Sequence, residues 1–132
     1  MKPGRTFRAA LTTLGAVATV AGARGVLVGA AEVPDGGRVS ANVDSEYRFY
    51  AAWYHLLGLV LLRTSRSANV DRSVVDFCAG GFALAAVGRL LSLRTLGRPH
   101  RTQLLLLALE IVTAAILPMW HRRSSVPPVT AT

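Results

Sequence analysis

Cysteine is nearly absent from this 132-residue chain, which has only Cys78. A lone cysteine excludes an internal disulfide, and no Cys/His cluster with ligand spacing offers a zinc site. Acidic residues are scarce as well: seven Asp and Glu stand against 15 Lys and Arg, giving a formal net charge of +8. Charged residues make up 17% of the chain, hydrophobic residues make up 52%, and the mean hydropathy is +0.40. A disordered basic tail would be poor in apolar residues, so this balance points to a membrane protein. No HExxH, GxSxG, P-loop or GxGxxG pattern occurs. The sequence therefore assigns no catalytic residue, metal ligand or cofactor, and the reading leans away from an enzyme.

The charges punctuate the chain and leave four apolar stretches at about 9–31, 47–62, 73–93 and 103–120. About 20 apolar residues suffice to cross a bilayer core about 30 Å thick. Runs such as 103–109, QLLLLAL, show no polar stripe of period 3.6, as a soluble bundle would require. The fold class expected is all-α, a four-helix transmembrane bundle with short loops over residues 1–123, followed by a disordered tail over 124–132. The second stretch is the shortest and needs Glu46, Tyr47 and Arg48 at headgroup level. Lys2, Arg5 and Arg8 before an apolar run resemble a signal peptide. The run resumes after Arg24, however, and is too long for a signal core of about 7–15 residues, so retention is expected.

Orientation follows from the basic residues. With the N-terminus in the cytoplasm, the inner side holds eight Lys and Arg and the outer side four. The positive-inside rule then favours both termini in the cytoplasm. The basic loops lie beside spans, where anionic headgroups explain them, and no nucleic-acid partner is implied. The expected surroundings are the lipid bilayer, with a membrane-protein partner or a homo-oligomer as the further possibility. Small residues recur in the first stretch (Gly15, Ala18, Gly22, Gly25, Gly29) and in the third (Cys78, Gly81, Ala85, Gly88, Ser92). These seams suggest that the first and third helices pack together, with Cys78 as a small packing residue.

Ionisable residues within spans are costly, at least about 2.5–3.5 kcal/mol for a charge at the bilayer centre, and are usually paired or functional. In the orientation above, Arg24 and Glu110 both lie seven residues from the outer ends of their helices, about 10 Å deep. Arg89 lies about 6 Å deep, and Asp44, Glu46 and Arg48 mark the outer mouth of the second helix. These residues form the candidate site, an intramembrane charged cluster. Asp76, near Arg63, Arg66 and Arg72, reads as an interfacial ion pair. Supporting positions are Tyr50 and Trp53, within an aromatic run that suits a headgroup belt or a ligand cage, and His55, one helical face with Arg48. His55 suits either a hydrogen-bonded packing role or proton transfer.

The run 44–54, DSEYRFYAAWY, then 88–92, GRLLS, and 97–100, GRPH, and finally a Leu-rich helix bearing Glu110 resemble the DUF4345 family from about Leu14 to Trp120. The resemblance implies a small, mainly bacterial, four-helix integral membrane protein of unknown function, hence a bacterial inner-membrane location. It singles out Asp44, Glu46, Arg48, Arg89, Ser92, Pro99 and Glu110. Three roles follow. The first is a structural or accessory component in which the charges fix helix register. The second is a binding protein or carrier for a lipid, quinone or other amphipathic anion, held by Arg48 and Arg89. The third is a membrane enzyme or proton-coupled factor using Glu110 and His55 as acid and base. Pairing is the commonest use of intramembrane charge and favours the first.

Overall fold

The computed structural model describes residues 4–124 of the chain. Among them are four helices: α1 (Arg5–Val28), α2 (Ala41–Arg66), α3 (Arg72–Leu96) and α4 (Arg101–Ser124), with one 3-10 turn at Ala30–Glu32. Each helix overruns its apolar stretch at one or both ends, into flanking polar and charged residues. By length and composition α1, α3 and the Arg101–Arg123 part of α4 can cross a membrane. The second helix is not among them: Asp44, Glu46 and Arg48 at one end and Arg63 and Arg66 at the other dilute its apolar middle. Ser124 still belongs to α4, and the rest of the expected tail, 125–132, lies outside the described residues.

Local signals set the boundaries. The first helix stops at Gly29, whose φ of 79° suits glycine and whose N–H still reaches the Gly25 carbonyl at 2.9 Å. Ser40 caps α2 by accepting from the Val43 N–H, and Asp71 caps α3 by accepting from the Ser73 N–H at 2.8 Å. Gly97, with φ 90°, ends α3, and His100 Nδ1 accepts from the Thr102 N–H as α4 begins.

The helices associate as two antiparallel pairs, α1 along α2 and α3 along α4, which touch each other much less. The expected α1–α3 seam is not formed. Glycines of α1 face α2 instead: a Cβ on Gly15 would stand 2.9 Å from the Leu62 backbone, one on Gly25 2.7 Å from Ala51, and one on Gly22 would overlap the His55 backbone. On α2, Gly58 answers them, so close to Thr19 that any side chain would collide with it. Thr19 Oγ1 is buried there, the one such side-chain atom without a hydrogen-bond partner among the described residues. Small residues let backbones approach in lipid, where dispersion rather than the hydrophobic effect drives association. Gly81 and Gly88 of α3 face open space. Periodicity marks a seam but not its neighbour, which is why the pairing differs from the expected one.

The two pairs meet in an apolar cluster of Phe7, Leu11, Leu61, Val75, Cys78, Phe82 and Leu117, at the end of the bundle that holds the termini of α1 and α4. Cys78 is fully buried in it and serves packing. Phe7 also meets the Trp120 ring edge-on, at 5.8 Å between centroids.

Gly22→Ala is therefore expected to lower thermal stability in detergent by about 1–3 kcal/mol, the usual range for overpacking. Gly88→Ala, on the open face, should leave the midpoint unchanged or raise it; equal losses in both variants would contradict the α1–α2 seam.

Candidate functional site

The charged residues grouped from the sequence separate into three local arrangements. Across the end of α1, Arg48 donates from Nε to Asp44 Oδ2 at 2.8 Å, from Nη1 to the carbonyls of Val26 and Leu27, and from Nη2 to that of Val28. These are the last carbonyls of α1, which have no partner within the helix, and a cation there also suits the helix dipole. Asp44 Oδ1 accepts from the Ala30 N–H at 2.8 Å and so fixes the 3-10 turn. One i, i+4 pair on α2 thus caps α1 and starts the next turn. Gly29 is tucked beneath it, where any Cβ would strike Asp44 and Arg48. At the other end of the pair, Arg8 of α1 donates to the Ser65 and Ala68 carbonyls where α2 ends. The two helices therefore cap each other.

The second arrangement centres on Glu32, which the sequence placed only as a loop acid. Its Oε2 accepts from Arg24 Nε and its Oε1 from the Tyr47 hydroxyl, both at 2.8 Å. Arg24 is mostly exposed, and it reaches the loop rather than Glu110. Its position near the outer end of α1 was the available signal; the partner's rotamer was not.

The third arrangement lies between α3 and α4. Arg89 Nε stands 2.9 Å from both carboxylate oxygens of Glu110, and Arg89 Nη1 donates to Gln103 Oε1. The Glu110 side chain is 6% exposed and that of Arg89 33%. Gln103 precedes Glu110 by seven residues, so both project from one face of α4; that spacing could have marked it. From α2, Tyr47 and Tyr54 lie within electrostatic range of Arg89, and Tyr54 also within that of Glu110. A pocket of about 120 Å³ opens beside Arg89, with Ser92, Pro99 and Gln103 in its lining. Its remaining wall is apolar, made by Leu93, Leu104 and Leu107.

Other positions stand apart. Glu46 is exposed and has no ion pair among the described residues. Tyr50 and Trp53 are 65% and 60% exposed and stack edge-on with Phe49, an outward belt rather than a cage. His55 faces α1, with Nδ1 2.8 Å from the Thr19 carbonyl, to which it donates. Its partner lies on α1, whereas that of Glu110 lies on α3. Asp76 pairs with Arg72 at 3.2 Å. No group of three His, Cys, Asp or Glu side chains that could hold a metal occurs among the described residues.

An α-helical bundle with apolar, span-length helices and charges paired between neighbouring helices defines a small helical membrane protein. The model of DUF4345, a domain of unknown function, matches residues 6–121, and the chain belongs to that family. Among curated proteins and solved structures, no match was found.

Removing one partner of a buried ion pair strands the other, at about 3–5 kcal/mol for a fully buried pair. For the partly exposed Arg89 the loss on Glu110→Gln is expected at about 1–3 kcal/mol after screening. Arg89→Gln combined with Glu110→Gln should lose less than the sum of the single losses in thermal melts; strict additivity would deny the direct contact. Asp44, in the first turn of α2, is held below its ordinary value of 3.8 by hydrogen bonds from Arg48 and the Ala30 N–H. Its carboxylate thus adds stability in full above the ordinary carboxylate range, and that stability fades as pH falls through the lowered value. Melting curves from pH 6 to 3 should show a fall that is shallower in Asp44→Asn.

Proposed function

We propose that the chain is a structural or accessory component of a bacterial cytoplasmic membrane, with both termini on the cytoplasmic side. It would work within the lipid bilayer beside a membrane-protein partner or a second copy of itself. One observation carries this reading: of the candidate charges, all but Glu46 have an opposite charge as partner within one helix pair, so those five are balanced in place. Pairing of this kind holds helix register and leaves little net field to attract a charged substrate.

The reading as a carrier of an amphipathic anion loses its first anchor, because the Nε and both terminal nitrogens of Arg48 already donate to Asp44 and to α1 carbonyls. Proton transfer between Glu110 and His55 has no geometric support, since His55 is bonded to α1 and Glu110 to α3.

Extracted gently from its own membrane and weighed by native mass spectrometry, the chain should carry a stoichiometric second polypeptide or a second copy above its own 14.0 kDa. A monomer with no protein companion, under conditions that keep other membrane complexes intact, would overturn the accessory reading.

A further inference from the structure

The pocket between α3 and α4 is built from groups whose hydrogen-bonding capacity is only partly used. A guanidinium carries five N–H donors. Arg89 uses Nε toward Glu110 and one Nη1 hydrogen toward Gln103, which leaves three N–H without a protein acceptor among the described residues. Arginine donates and never accepts, so the Gln103 oxygen must face it and the Gln103 amide NH2 is turned elsewhere with no protein acceptor. The Ser92 hydroxyl, which in a helix often bonds back one turn, makes no hydrogen bond to a described residue. Pro99 adds no N–H of its own to the lining.

The unused capacity is therefore on the donor side, and the pocket asks for an acceptor. Charge then selects among acceptors. The Glu110 carboxylate sits on Arg89 Nε through both oxygens and offsets the guanidinium charge, and no second cation lines the pocket. An anion there would meet a guanidinium already balanced by Glu110 and no second cation, so its charge would go uncompensated. A neutral carbonyl oxygen accepts from two or three donors without that cost. Size agrees: about 120 Å³ is close to the roughly 150 Å³ cavity that holds a benzene ring, so the pocket admits a head fragment and not a whole lipid. The leucine wall provides a track for apolar substituents.

We infer that the pocket beside Arg89 binds the carbonyl oxygen of an uncharged amphiphile, an ester or a ketone, through Arg89, Gln103 and Ser92, with its apolar part along Leu93, Leu104 and Leu107. The site goes beyond the accessory reading and exists with or without a protein partner. Two sources share this chemistry, the glyceryl ester of a lipid and the ketone of a quinone. The Arg89–Glu110 pair acts as a neutral donor platform.

The test uses the full chain, purified in detergent and washed free of lipid, titrated separately with dioctanoylglycerol, decylubiquinone and dodecyl phosphate and read by native mass spectrometry. At least one carbonyl probe is expected to bind one-to-one, more tightly than dodecyl phosphate. Its Kd should rise at least tenfold in Gln103→Leu and in Ser92→Leu and stay unchanged in Phe77→Ala, on an exposed part of α3. Retention of dioctanoylglycerol assigns the site to lipid esters, and retention of decylubiquinone assigns it to quinones. Ser92→Leu decides if Gln103→Leu loosens the bundle, since Ser92 holds no partner whose loss could unfold the protein. No one-to-one binding by either carbonyl probe, an unchanged Kd in Ser92→Leu, or tighter binding of dodecyl phosphate would each overturn the inference.

Discussion

A helix that ends inside or beside hydrocarbon must satisfy its last carbonyls from the protein, because water is scarce there. Two arginines meet this constraint in the first half of the chain. Arg48 lies across the end of α1 and Arg8 across the end of α2, so each helix closes the other. The close approach between them depends on Gly15, Gly22, Gly25 and Gly58, and it places the Asp44–Arg48 pair directly over Gly29. A bulkier residue in the seam would lift α2 away from α1 and draw both guanidinium groups off their carbonyls. Capping, packing and the acidic turn are one mechanical unit.

In the second half an ion pair replaces the glycine seam. Arg89 and Glu110 hold α3 against α4 near the short loop, while Cys78, Phe82 and Leu117 join the shared apolar cluster toward the other end. Breaking either partner would leave a charge stranded at low dielectric, whereas replacing both with amides keeps the shape and removes the penalty. The pair therefore specifies register as much as it stabilises, and its neutrality decides what chemistry its neighbouring pocket accepts.

Much of this architecture could be read from residue order. Charges at the ends of apolar runs gave four helices, since only helices of that length bury their backbone polarity in lipid. Counting residues from the helix ends brought Arg89 and Glu110 to the same half of the bundle before any contact was visible. Other features depend on three dimensions. The glycines of α1 form a face, but period alone does not say whether α2 or α3 meets it. Glu32 looked like one more loop acid because its role comes from a 3-10 turn that folds it back onto Arg24 and Tyr47. Counting depth along each helix ignores the azimuth, which sends Arg24, Arg48 and Arg89 toward different partners. The DUF4345 resemblance and the family match agree on the class of protein, and both leave its chemistry to the geometry.

The division into two self-capped pairs also bears on how such a chain is made. Synthesis delivers α1 and α2 first, and every cap and ion pair between them joins residues that precede α3. As soon as α2 emerges, Arg48 has its carbonyls and Asp44 its N–H, with nothing required from helices still inside the ribosome. The nascent chain can thus enter the bilayer as one closed hairpin followed by another, each pairing its own helix ends, and docking through Phe7, Val75 and their neighbours becomes a late, mainly apolar step.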